Sequence, residues 1–205
     1  MKKLISWLLI FVIFSLCGCS ATKTTEENTE SASKTESESY ISEIIEEGKN
    51  YKITYNGNFT YSYEIRDNSG TVILSDDNAK KTPHITMIDE NTAKLTIQKG
   101  TGITTAFTTY CNITNGSISE SFNAVFDECN GKTVYYEYRE SKYYIIVRDI
   151  FDKDVFYKEF EIDDDIYTVA NAVVSADFSQ DCTMLTVTYL AGTDYKETKT
   201  VFNIE

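Results

Sequence analysis

The sequence predicts an all-β protein made of antiparallel meanders. Apolar and polar residues alternate along short runs, as in Tyr61-Ser62-Tyr63-Glu64-Ile65, and this period of two is typical of a half-buried strand. Tyrosine, a residue type that packs well on pleated sheets, occurs 15 times. The chain also repeats short patterns at a nearly constant spacing, which indicates an internal duplication.

The strands are predicted from alternation and from turn residues between apolar runs. Asp67-Asn68-Ser69-Gly70 is a turn signal that follows the run ending at Arg66. The Tyr143–Val147 segment is apolar at successive positions, so we expect both of its faces to be buried. Residues 40–47 alone have helical spacing. The predicted strands are 59–66, 71–74, 85–88, 92–98, 103–113, 133–139, 143–149, 155–162, 173–178, 184–190 and 196–204.

The internal duplication is predicted from matches that occur in the same order in both halves. Arg66-Asp67 recurs as Arg148-Asp149, 82 residues later. The segment 91–97 aligns with 181–187 at a spacing of 90, after a longer loop at 161–170 in the second half. We therefore predict two repeats, at about 37–113 and 119–204, in which neighbouring copies cover each other's apolar faces.

One segment of the second repeat is similar to a known family. Residues 176–187, Ala-Asp-Phe-Ser-Gln-Asp-Cys-Thr-Met-Leu-Thr-Val, resemble the strand-turn-strand of WD-repeat-like β-propeller blades, with Gln180 and Cys182 in place of the usual proline and glycine. The resemblance implies propeller-like blades, and the alternative arrangement is a β-sandwich.

The N-terminus predicts an export signal. Lys2 and Lys3 precede a mostly apolar run, 4–16, that spans roughly 20 Å as a helix and is shorter than the ~30 Å hydrocarbon core of a membrane. Leu16-Cys17-Gly18-Cys19 resembles the lipobox of bacterial lipoproteins. The resemblance implies that residues 1–18 are a signal peptide and that Cys19 is lipidated. It also implies a lipid-anchored protein on the extracytoplasmic face of the cell membrane.

The composition divides the remaining chain into a tether and a folded domain. Residues 20–39 are rich in Ser, Thr and Glu and contain too little apolar surface to fold. We therefore expect a lipidated Cys19 and linker at 19–39 and a β domain at 40–205. As a flexible coil the linker spans roughly 25 Å.

Charge and cysteine content limit the partners and the covalent links. The 32 acidic and 19 basic residues give a net charge of −13, which argues against nucleic acid and against docking on anionic lipid head groups. Cys111, Cys129 and Cys182 allow one internal disulfide among three possible pairings. The sequence predicts no metal site and no cofactor, and the single histidine, His84, is expected to be structural.

A tyrosine cluster is the candidate binding surface, and no catalytic residue is predicted. The candidate residues are Tyr135, Tyr136, Tyr138 and Tyr144, and alternation places Tyr136 and Tyr138 on one face and Tyr135 on the other. Exposed aromatic rings could contact a protein, peptide or glycan, whereas packing within the sheet is the simpler interpretation. The predicted function is a non-catalytic binding module of unknown ligand. The alternative is an extracytoplasmic, carboxylate-dependent hydrolase, possibly acting on glycans.

Overall fold

The computed structural model describes residues 41–162 and 172–205. The predicted leader 1–18, the lipidation residue Cys19 and the linker lie outside the described residues, as does most of the loop at 161–170. The described chain is almost entirely β-strand, arranged as four antiparallel sheets that follow one another along the sequence. The all-β, antiparallel prediction is therefore confirmed.

Each sheet is formed by consecutive strands that pair with their neighbours in sequence. The first sheet contains β1 (Glu43–Glu47), β2 (Tyr51–Gly57), β3 (Thr60–Arg66) and β4 (Val72–Ala79), and the second contains β5 (Pro83–Met87), β6 (Thr92–Gln98), β7 (Ala106–Asn112) and β8 (Phe122–Asn123). The third sheet contains β9 (Val125–Cys129), β10 (Lys132–Arg139), β11 (Lys142–Asp149) and β12 (Tyr157–Ile162), and the fourth contains β13 (Val173–Phe178), β14 (Met184–Ala191) and β15 (Lys196–Asn203).

Tight turns of the hairpin type connect the strands of the third sheet. Asn130 and Gly131 join β9 to β10 with φ values of 48° and 73°, and Glu140 and Ser141 join β10 to β11 with 51° and 65°. Two successive positive φ angles twist the chain in the direction that strand pairing requires. Asn-Gly adopts them at little cost because glycine has no Cβ. These turns fix the register that pairs Tyr136 with Ile145.

Apolar clusters join each sheet to the next. One cluster packs the first sheet on the second, a second cluster packs the second sheet on the third, and a third cluster packs the third sheet on the fourth. The third sheet is consequently covered on both faces. In β11, Ile145 and Val147 pack toward the fourth sheet and Ile146 packs toward the second. This arrangement confirms the prediction that the strand at 143–147 is buried on both sides.

A disulfide also links the third and fourth sheets. Cys129, the last residue of β9, is bonded to Cys182 in the turn between β13 and β14, with their Cα atoms 5.8 Å apart. The sequence left the pairing open, and the structure selects this one. Cys111 is a buried free thiol in the cluster between the first two sheets, and burial raises its pKa to about 11.

Three strand predictions differ from the structure. The segment 40–47, with its helical spacing, contains the strand β1 instead, because pairing with β2, as between Glu43 and Tyr55, overrides local spacing. Phe59 lies in the turn before β3 rather than in a strand, and residues 103–105 form a 3₁₀ turn before β7. The strands β2, β8 and β9 were not assigned from the sequence.

The ends of the two predicted repeats make similar hydrogen bonds, although the two backbone acceptors differ by two positions in the repeat alignment. The Ile113 N–H donates to the Asn91 carbonyl, and the Ile204 N–H donates to the Thr183 carbonyl. The side chains of Asn112 and Asn203 each accept a backbone N–H two residues later. The duplication remains a prediction. The described residues show neither a closed propeller nor a closed barrel, and a sandwich-like description fits them equally well.

Candidate functional site: a tyrosine-lined cleft

A cleft of ≈ 530 Å³ lies between the short strand β8 and the second half of β10. It contains three aromatic residues that the sequence singled out and two carboxylates that it did not. A volume of this size is within the range of ligand pockets. The lining residues are Glu120, Ser121, Phe122, Asn123, Tyr135, Tyr136, Glu137 and Tyr138.

Three of the four predicted binding tyrosines line this cleft, and they differ in exposure. Tyr135 is 8% exposed and Tyr138 is 47% exposed, whereas Tyr136 is half-buried. Tyr136 packs toward the fourth sheet and Tyr135 toward the second, as alternation predicted. Tyr144 is not among the lining residues. Its ring lies beneath the guanidinium of Arg139, 4.0 Å from the ring centroid, so its role is to support a neighbouring side chain.

A buried arginine fixes one wall of the cleft. Arg148, at the end of β11, is 6% exposed and donates a hydrogen bond from Nη1 to Oε1 of Glu120. Its guanidinium carbon is 5.3 Å from the centroid of the Phe122 ring, which in turn lies 5.3 Å from the Tyr135 ring. These contacts hold Phe122 and Glu120 in place before any ligand arrives. Sequence reasoning did not identify Glu120, Phe122 or Arg148 as parts of a site.

The opposite wall has a second fixed carboxylate and the most exposed ring. Glu137 forms an ion pair with Arg139 at 3.1 Å, and Arg139 also pairs with Glu159 on β12. The hydrogen bond from Arg139 lowers the pKa of the Glu159 carboxyl. The Tyr138 ring packs against the Tyr143 ring with centroids 4.8 Å apart. One face of Tyr138 is thus supported and the other side of the residue is open to solvent.

The backbone of β10 has a free edge at the cleft. β9 pairs with β10 only from Lys132 to Tyr135, after a break in register. Among the described strands, none pairs with Tyr136–Arg139 on the side that β9 covers earlier in β10. Four residues of strand edge, including those of Tyr136 and Tyr138, therefore face the cleft side without a strand partner, an arrangement that permits an added strand.

Two of the phenols that line the cleft have raised pKa values. Burial is the main cause that raises the pKa of Tyr135 to about 12, and burial also raises the pKa of Tyr136. Both phenols are neutral at pH 7. In the segments 41–162 and 172–205, no group of three or more His, Cys, Asp or Glu residues is placed to hold a metal ion. The same segments contain no helix able to cross a membrane.

Tyr135 should make stability depend on alkaline pH. Its pKa rises from 10.0 in the unfolded chain to about 12 when buried, so the unfolded chain loses the proton first. The stabilisation is complete below pH 10 and disappears as the pH rises through 12. Between pH 10 and 12 the free energy of unfolding of the wild-type protein should fall by about 2 to 3 kcal/mol because of Tyr135. Tyr135→Phe should lack this part of the decrease. Urea unfolding at a series of pH values measures the free energy of unfolding of both proteins. The same dependence on pH in the variant and the wild type would contradict a raised pKa of Tyr135.

Comparison with known proteins gives structural matches alone. No protein-family model and no curated protein matches the sequence. Two solved structures that match are the computationally designed Ika4 protein and the computationally designed Ika8 protein. The Ika4 match is 15% identical, covers 78% of this chain and 88% of the other, and has a TM-score of 0.39. The Ika8 match is 15% identical, covers 78% and 44%, and has a TM-score of 0.37.

Proposed function

We propose that this protein is a lipid-anchored, extracytoplasmic binding module without catalytic activity. Leu16-Cys17-Gly18-Cys19 supports the anchor, and the Ser/Thr/Glu-rich linker supports a tethered domain. The Cys129–Cys182 disulfide supports an oxidising compartment, because such bonds persist outside the cytoplasm. Acyl chains on Cys19 would hold the protein on the membrane.

The ligand that the cleft fits best is an extended peptide. The observation that carries this proposal is the free edge of β10 at Tyr136–Arg139, directly beside a cleft lined by aromatic rings. An extended peptide can add to such an edge by main-chain hydrogen bonds while alternate side chains enter neighbouring pockets. Tyr138 and Phe122 would contact its apolar side chains, and Glu120 and Glu137 would contact its basic groups.

A carboxylate-dependent hydrolase is the second candidate, because two carboxylates, Glu120 and Glu137, line the same cleft. Each is already engaged by an arginine, Arg148 or Arg139 respectively. That pairing suits fixed acceptors better than a mobile general acid. The acidic run Asp163–Asp165 is another potential source of carboxylates and lies outside the described residues. Turnover of a bound peptide or glycan that disappears in Glu137→Gln would favour the hydrolase over the binding module.

The anchor is tested by Cys19→Ala. Without the thiol there is no site for lipid attachment, so the variant should leave the membrane fraction almost completely and keep its thermal transition. Cell fractionation followed by mass spectrometry of the N-terminus measures both the location and the processing. Full membrane retention of Cys19→Ala would refute the lipid anchor and leave the fold unaffected.

The peptide site is tested by Tyr138→Ala. A displayed library of random peptides, selected on the purified protein, provides the probe. Because a supported aromatic anchor contributes about 2 kcal/mol or more, we expect the selected peptides to bind Tyr138→Ala at least about tenfold more weakly. Tyr195→Ala is the matched control, since Tyr195 is 46% exposed and lies in the turn after β14. Equal losses in both variants, or selection of glycans in place of peptides in a parallel array, would contradict the peptide assignment.

A further inference from the structure

A second cleft, remote in sequence from the first, is lined by lysines. It has a volume of ≈ 540 Å³ and lies where β4 ends, β5 begins and β6 ends. Lys80, Lys81 and Lys99 line it together with one carboxylate, Asp76. All three lysines are exposed. A local excess of positive charge is unexpected on a chain with a net charge of −13.

Salt bridges among the described residues do not neutralise the charges of these lysines. Within the described segments, the salt bridges involve Lys94, Lys142 and three arginines, and none of the lysines of this cleft. The Lys80 ammonium donates to the uncharged Oδ1 of Asn78 at 2.8 Å. The Lys99 ammonium lies over the Phe107 ring, 4.1 Å from its centroid. Both contacts orient a cation without cancelling its charge.

The cleft lies at the end of the first sheet where β1 begins. Strand register aligns Glu43 with Tyr55, Tyr55 with Tyr61, and Tyr61 with Ala79. The start of β1 and the end of β4 are therefore at the same end of the first sheet, although β1 and β4 are its two outer strands. Lys80 follows directly after Ala79, and the chain enters β1 at this end.

An exposed aromatic ring lies at the same end of the first sheet. Phe59 is in the tight turn between β2 and β3, two residues before Tyr61, and is 81% exposed. Asn58 and Phe59 have φ values of 50° and 56°. Positive φ is uncommon for a bulky residue, and glycine or asparagine would suit the turn better. Neither packing nor turn geometry explains a phenylalanine here.

We infer that this end of the first sheet, called the lysine end and defined by Phe59, Lys80, Lys81 and Lys99, docks the domain on the phosphate groups of anionic phospholipids. Lysines near a membrane surface attract acidic lipids, and an aromatic ring at the tip of a turn can enter the interface beside them. The inference rests on the proposed anchor for its setting. The net negative charge of the chain does not prevent this docking, because charges beyond the Debye length of about 8 Å are screened. The lysines closest to the membrane therefore determine the electrostatic interaction.

Docking would orient a domain that a flexible tether alone leaves free. Docking would place the lysine end of the domain against the membrane surface. A free phosphate compound offers the same chemistry as a lipid head group, so the experiment includes both sources.

The test places a reporter at the tip of the β2–β3 turn. Trp7, the single tryptophan, is replaced by phenylalanine, and Phe59→Trp is introduced into the full-length chain, which the cell processes and lipidates. The purified protein is mixed with vesicles of phosphatidylcholine alone or with added phosphatidylglycerol. We expect the Phe59→Trp emission to shift to shorter wavelength, and to be protected from an aqueous quencher, only with the anionic vesicles. Val155→Trp, at a site 70% exposed, should retain solvent-like emission.

Charge variants decide whether the lysines carry the effect. The triple variant Lys80→Gln, Lys81→Gln and Lys99→Gln should lose the emission shift. The equilibrium constant for docking of the domain on the anionic surface should fall about fivefold for each lysine removed. A control triple variant removes the same charge from exposed positions elsewhere and should preserve the emission shift; it combines Lys153→Gln, Lys196→Gln and Lys199→Gln. Circular dichroism confirms that each variant is folded.

Three results would overturn the docking proposal. The first is the same emission with neutral and anionic vesicles, and the second is an equal loss in the two lysine triples. The third is reversal of the shift by sn-glycerol 3-phosphate but not by sodium chloride at matched ionic strength, which would assign the cleft to a free phosphate compound. Vesicle flotation reports the lipid anchor separately, so failure of the anchor is distinguishable from failure of docking.

Discussion

Replacing Cys129 and Cys182 together with serine is expected to lower the free energy of unfolding by about 4 kcal/mol. The two cysteines are 53 residues apart in sequence, so their bond closes a long loop in the unfolded chain. Removing it increases the conformational entropy of that chain. Because the bond joins β9 to the β13–β14 turn, it also holds the fourth sheet against the third in the native state. The loss is a large share of the stability of an ordinary domain.

Urea unfolding under non-reducing conditions measures this effect. The wild-type protein in the presence of a reductant is the matched comparison and should unfold at nearly the same urea concentration as the double serine variant. The variant itself should not respond to the reductant. A wild-type midpoint that is insensitive to complete reduction, verified by thiol titration, would contradict a stabilising role for this disulfide.

Ile145→Ala and Ile146→Ala are each expected to lower the free energy of unfolding by about 2 to 5 kcal/mol. The two side chains are adjacent in β11, point to opposite faces of the third sheet, and are 0% and 1% exposed. Ile145 packs with the fourth sheet and Ile146 with the second, so each substitution leaves a cavity in a different core. Neither cavity can close by collapse of a flexible surface.

The comparison between the two isoleucine variants tests the position of the third sheet. A sheet with one solvent face would show a large cost at one position and a small one at the other. Val201→Ala is the control, because Val201 is 55% exposed on β15 and should change stability by about 0.5 kcal/mol or less. A cost below that of the control at either isoleucine would show that the corresponding face is open in solution.

The strands themselves were the most predictable part of this protein. Alternation and turn residues placed 92–98 and 173–178 with the same bounds as β6 and β13. Consecutive apolar residues at 143–147 correctly indicated a strand covered on both faces. These features depend on local patterns of period two. The segment 40–47 was misassigned because its isoleucines lie at positions 41, 44 and 45, a spacing that fits a helix, whereas its structure depends on pairing with β2.

The binding cleft could be predicted only in part. Tyr135, Tyr136 and Tyr138 were recognised from their clustering, but Tyr144 was included although Arg139 covers its ring. Glu120 and Arg148 were missed because they are 28 residues apart and meet only when β8 lies beside the third sheet. The free edge of β10 depends on where β9 stops pairing, which a break in register determines. None of these relations leaves a local signal in the sequence.

The position of Cys111 has a consequence for oxidative folding. An odd number of cysteines in the β domain makes wrong disulfide pairings possible, but Cys111 is buried in the cluster between the first two sheets. Because its pKa is about 11, roughly one such thiol in ten thousand is ionised at pH 7, and attack on a disulfide requires the thiolate. Burial of Cys111 therefore disfavours its pairing with Cys129 or Cys182 once the first two sheets have formed.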